Sequence, residues 1–137
     1  MLNTIPLLVL VVKDMEKFSS SQEIVESYLQ ALGNRDIAKI KSLLSKDTFS
    51  FIGPIDRFNN AEDLTKALQN LAPIVTGVQI RKTFVDDGDV CSVYNLNTST
   101  PAGSVRCTEL CHVEDGKITS TEVFFDATPF RQMAGKH

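Results

Sequence analysis

Three side chains carry groups suited to acid–base chemistry while sitting on otherwise apolar segments: Tyr28, Glu109 and Asp126. Tyr28 lies in "IVESYLQAL", on the same helical stripe as Ile24, Val25, Leu29 and Leu32. A tyrosine on a buried stripe still needs a partner for its hydroxyl. It is either a donor to a carbonyl or developing oxyanion, or a core residue with its hydroxyl at the rim. Glu109 lies in "RCTELCHV". Strand alternation puts it on one face with Cys107, Cys111 and Val113. If that face is inward, a carboxyl there can serve as acid or base near neutral pH; one residue of slippage puts it in solvent instead. Asp126 closes "EVFFD" ahead of Pro129. If Phe124 faces inward, so does Asp126, near a cavity mouth. If Val123 and Phe125 line the core, Asp126 ends the strand on the solvent side and forms an Asx turn. The acidic Glu122 favours the second arrangement.

Other chemistries find less support. Two histidines, one of them the last residue, and three cysteines give no CxxC or HExxH spacing. Cys111 and His112 point to opposite faces of a strand, which argues against a shared metal, and no cofactor is expected. Cys111 has no evident base beside it, so it reads as a packing residue. The odd cysteine count fits no disulfide framework and points to a reducing, cytoplasmic setting. A net charge of −3 with scattered Lys and Arg argues against nucleic acid as a partner. The apolar run "IPLLVLVV" at residues 5–12 lacks a preceding basic residue and is too short to span a bilayer, so no membrane association is expected. It reads as an extra strand or an interface segment.

The chain of 137 residues, 42% hydrophobic, suits one core. Residues 1–19 read as an N-terminal extension, 20–130 as the domain and 131–137 as a tail. "SSQE" at 20–23 signals a capped helix, "GNRD" at 33–36 ends it, and Asp36 caps a second. Residues 48–53 form a short strand that ends at Gly53-Pro54, "IDRF" is a loop, and Asn60 caps a helix over 61–72 that closes at Pro73. Four long strands follow, turning at "DDGD", "TPAG" and "DG". The order α-α-β-α-β-β-β-β predicts an α+β domain, a curved antiparallel sheet wrapped around helices as a cone. The wide mouth of such a cone is a natural small-molecule pocket.

"VESYLQALGNRDIAKIKSLLSKD", "GPIDRFNNAEDLTKAL" and "EDGKITSTEVFFDATPF" together resemble the nuclear transport factor 2-like superfamily. The SnoaL-like branch is the nearest, with polyketide cyclases, ketosteroid isomerases and limonene epoxide hydrolases as relatives. The resemblance covers about residues 20–130 and implies a cystatin-like α+β barrel. It also implies a homodimer through the outer face of the sheet. In the steroid isomerase pattern Tyr28 and Glu109 match the two oxyanion donors. The general base falls at Gly53, which has no side chain, and Asp56 lies three residues on. The Asp–Arg–Asp set of the epoxide hydrolases is imitated only by Arg81 or Arg106 with Glu109 and Asp126. The resemblance thus implies a pocket for a small apolar molecule, with Tyr28, Glu109 and Asp126 as catalytic candidates. Phe51, Asp56, Tyr94 and Phe124 are the expected pocket lining. Isomerisation, cyclisation or hydrolysis would be the reaction. The alternative is a binding or assembly module whose cone is filled by Phe49, Phe51, Phe84, Phe124 and Phe125.

Overall fold

The structure, a computed structural model, describes residues 20–134. The apolar run at 5–12 and the last three residues lie outside the described residues. Helix α1 (Ser21–Gly33) begins where the Ser20 hydroxyl accepts from the Glu23 N–H at 3.1 Å. Helix α2 (Ile37–Leu43) is capped by Asp36, which accepts from the Lys39 N–H at 3.1 Å. Each cap satisfies an amide that the helix itself leaves unpaired. Strand β1 (Ser50–Ile52) and strand β2 (Arg57–Phe58) precede helix α3 (Ala61–Leu71), which Asn60 caps at 2.8 Å. A 3-10 turn holding Pro73 leads into β3 (Val75–Asp86), β4 (Asp89–Thr98), β5 (Ser104–Glu114) and β6 (Lys117–Phe124). Helix α4 (Thr128–Ala134) ends the described chain.

The six strands form one sheet in the order β2-β1-β6-β5-β4-β3. All pairs are antiparallel except β1 with β6. The sheet is open, with β2 and β3 as edges, so the architecture is the expected curved α+β cone without closure into a barrel. Register shifts at Val75/Gly77, Ile80/Lys82 and His112/Val113 mark bulges, which bend strands. The concave face receives α1, whose Val25, Tyr28, Leu29 and Leu32 are buried. Close approach is set by Gly33: a Cβ there would sit 2.7 Å from the Val78 nitrogen. The β5–β6 turn needs left-handed backbone at both central positions, Asp115 (φ 50°) and Gly116 (φ 77°), the pairing that two-residue hairpins favour.

Two elements differ from expectation. "IDRF" is not all loop, because the Gly53 N–H donates to the Asp56 carbonyl at 2.9 Å and folds the chain back. Phe58 thereby pairs with Phe51, their rings 5.6 Å apart. A two-residue strand carries no period to read. Pro129 stands in the first turn of α4, a helix not expected from the sequence, where a missing N–H costs nothing. Phe130 of that helix packs edge-on to Phe125, centroids 5.7 Å apart.

Candidate functional site

The concave side of the sheet and the helices enclose a cavity of about 350 Å³. Its walls are mainly apolar, with Leu32, Leu68, Leu96 and Val123 among them. Its floor is polar. Glu109 is 2% exposed, and both of its carboxylate oxygens are engaged. Tyr94 donates to Oε1 at 2.7 Å. Tyr28 donates to Oε2 at 2.8 Å, and Thr121 donates to the same oxygen at 2.5 Å. The Cys111 thiol stands 4.0 Å from Oε2.

Each donor arrives from a different element for a local reason. Tyr28 is on the buried stripe of α1, so it reaches the sheet from above. Tyr94 lies opposite Cys107 on the neighbouring strand, which makes it the diagonal neighbour of Glu109. Thr121 sits opposite Cys111 on β6. Ser92, directly opposite Glu109, is buried and its hydroxyl makes no hydrogen bond within the protein.

Burial, and then the charge of Glu109, hold both tyrosine hydroxyls well above the ordinary tyrosine range. They therefore remain protonated donors. Burial pushes the Cys107 thiol up to about 12, and Cys111 is raised too, for the same two reasons. Neither thiol is a nucleophile near neutral pH. Among the described residues no three His, Cys, Asp or Glu side chains converge as a metal site.

Of the expected residues, Tyr28, Glu109, Phe51, Asp56 and Tyr94 meet at this cavity. Glu109 and Tyr94 are at its floor, and the exposed Asp56 is at its rim. Gly53 also lines it, offering no side chain where the isomerase pattern has a base. Phe124 as pocket lining and Asp126 as a catalytic candidate are corrections; of the two arrangements set out for Asp126, the second holds, with Val123 and Phe125 inward and an Asx turn on the solvent side. Phe124 is 53% exposed, and Asp126 is an exposed residue that accepts from the Thr128 N–H at 3.0 Å. That bond holds its carboxyl below the usual range. The cause is the bulge. Counting back from the Glu114–Lys117 pair without it would set Glu122 opposite Glu109, with Phe124 and Asp126 turned inward. The shift at His112/Val113 sets Val123 there instead, and every later residue changes face. The same shift turns Thr121 inward, and the sequence reading did not name Thr121.

Residues 25–121 match the model of the SnoaL-like domain. The chain belongs to the SnoaL-like domain family. No curated protein matches it. Among solved structures, this SnoaL-like chain is similar to an NTF2-like protein of unknown function from Cytophaga hutchinsonii, at 25% identity and TM-score 0.71, covering 82% of this chain and 95% of that one. It is similar in fold to an LEH-like epoxide hydrolase from M. tuberculosis, at 21% identity and TM-score 0.68, covering 82% and 86%. A de novo designed protein with a curved β-sheet is also similar, at 21% identity and TM-score 0.71, covering 84% and 92%. A fold shared by a natural hydrolase and a designed sheet does not name an activity; the site must.

Proposed function

We propose that this SnoaL-like domain binds a small, mostly apolar molecule in its cavity and moves a proton at Glu109 without a cofactor. One observation carries this reading: a buried carboxylate on the cavity floor is gripped by three hydroxyl donors and has one acceptor position left. A carboxylate offers about four such positions. Oε2 has both filled, by Tyr28 and Thr121, and Oε1 has one filled, by Tyr94. The open position on Oε1 is where a substrate proton would be taken or returned. Tyr28, Tyr94 and Thr121 are then positioning residues, since their protons are directed at Glu109. A hydroxyl that already donates to Glu109 cannot also donate to an oxyanion, which weighs against Tyr28 acting alone on a carbonyl.

The reaction would be an isomerisation, a cyclisation or a hydrolysis. The test is a fragment screen by ligand-observed NMR on the full chain, with conversion followed in the same samples. Glu109→Gln is expected to abolish conversion of any fragment the wild type turns over. Unchanged turnover would remove Glu109 from this role.

A second reading, a binding module without catalysis, draws on Gly53, which leaves the isomerase base position empty. A cone filled by its own aromatics is not what is observed: Phe84 and Phe124 are 55% and 53% exposed, and the cavity is open. We further propose a homodimer through the convex face, where Phe84, Leu110, Phe124 and Ile52 are exposed. Sedimentation giving a monomer at micromolar concentration would refute it. The three free cysteines fit a reducing, cytoplasmic compartment. Among the described residues no helix is long and apolar enough to cross a membrane.

A further inference from the structure

The carboxylate end of the cavity is built to accept hydrogen bonds, and the exposed Asn70 is the neutral amide on the wall. The protons of Tyr28, Tyr94 and Thr121 are directed at Glu109, and the Ser92 hydroxyl does not bond it, so the remaining position on Oε1 is open to a donor from the ligand. Charge narrows the choice. The ionisable acids on the wall are Glu109 at the floor and Asp56 at the rim, and among the described residues no Lys, Arg or His lines the cavity. Arg131 reaches the Pro54 carbonyl, at 3.4 Å, but is not part of the wall. Glu109 thus has hydrogen-bond donors but no cation beside it on the wall, in surroundings where an unpaired charge is costly. The wall also carries the rings of Phe51, Phe58, Phe125 and Phe130, besides the two tyrosines, and ring faces attract cations.

From these features we infer that the ligand is a small apolar amine, bound as the ammonium, with one N–H on the open position of Glu109 Oε1. The inference rests on the reading of the cavity as a ligand site and narrows it to one chemical class. An ammonium supplies both missing things: a donor for Oε1 and a positive charge for the wall. A neutral alcohol supplies only the first. A carboxylic acid, ionised at neutral pH, supplies neither and meets two acids. The volume, about 350 Å³, is at the small end for ligand pockets. It calls for a single ring with a short arm rather than a fused polycycle.

The experiment compares three probes of one shape on the full chain at pH 7: 2-phenylethylamine, 2-phenylethanol and phenylacetate. Binding is measured by titration calorimetry and located by NMR shifts of residues lining the cavity. Both the alcohol and the amine can donate to the carboxylate, but only the ammonium adds an opposite charge away from bulk water, so the amine is expected to bind about tenfold tighter than the alcohol. The acid is expected not to bind. In Glu109→Gln the amine should lose its advantage while the alcohol changes little. If the alcohol enters the cavity and the amine gains nothing on it, or if the acid binds best, the amine inference falls and the cavity reading stands. If none of the three shifts the cavity residues, the ligand-site reading falls and takes the inference with it. The comparison of probes needs only the wild-type chain, so a Glu109→Gln variant that fails to fold does not protect the proposal.

Discussion

The two oxygens of Glu109 are not equally supported, and that asymmetry can be measured. Oε2 keeps Thr121 if Tyr28 loses its hydroxyl, whereas Oε1 loses its one protein partner if Tyr94 does. Tyr94→Phe should therefore destabilise the fold by about 1.5–3 kcal/mol, the range for a hydrogen bond to a charged group, and Tyr28→Phe by less. Urea unfolding of both variants checks the order, and the reverse order would contradict this account of the carboxylate. Outside the cavity, the half-exposed His112 ring lies between Asp89, at 2.7 Å, and Glu114, at 3.2 Å. Hydrogen bonds to Asp89 and then Glu114 raise its pKa above the ordinary value. The folded pKa exceeds the unfolded one. The stabilisation is therefore complete below the unfolded value, about 6.5, and lost as pH rises through the folded value. The stability difference between wild type and His112→Gln should be larger at pH 5.5 than at pH 8.5, and a difference independent of pH would show that the ring is not paired in solution.

Local signals in the sequence were legible at the scale of elements, and long-range ones were not. Ser20, Asp36 and Asn60 each announce a helix by a side chain that bonds three residues on, and each does so in the structure. Asn60→Ala should cost about 1 kcal/mol, read as a lower urea midpoint. Gly33→Ala should cost more, since its Cβ would meet backbone of β3 at 2.7 Å; a neutral result would mean that α1 can lift from the sheet. Strand β2 exists because β1 is there to pair with it, and α4 packs through Phe130 on Phe125. Neither partnership leaves a period in its own segment. The site divides along the same line. Tyr94 beside Glu109 follows from the turn at 100–103, which sets Asn97 opposite Ser104 and so Tyr94 opposite Cys107. Thr121 and the outward turn of Asp126 depend on a bulge at His112/Val113. Nothing in the residues around 112 marks that extra position, so Thr121 is hidden, whereas the acidic Glu122 already points Asp126 outward.

On the scale of the molecule, one sheet serves two surfaces. Its concave face holds the cavity. On its convex face one cross-strand row runs Phe84, Cys91, Leu110, Glu122 and Ile52, with Phe124 diagonal to Leu110. Exposed apolar rows of this kind mark association surfaces. Leu110→Glu is expected to shift the chain from dimer to monomer in sedimentation while leaving the cavity intact. If the wild type is a dimer and the variant remains one, the dimer uses another face. Because alternate residues of the same strands face opposite ways, the two surfaces can be altered separately by substitution.

The parallel contact of β1 with β6 has a consequence for how the chain comes into being. Ser50 lies beside Ser120, and Tyr28 meets Glu109 across 81 positions of sequence. On a ribosome, α1, α2 and β1 emerge long before the strand that β1 must join. Contacts so distant in sequence form slowly. The nascent segment therefore waits with an unpaired strand and a tyrosine whose partner has not been made. The cavity comes into existence only with the last quarter of the chain, which supplies Glu109, Val123 and Phe125 to its wall, so a product truncated before that point cannot form it.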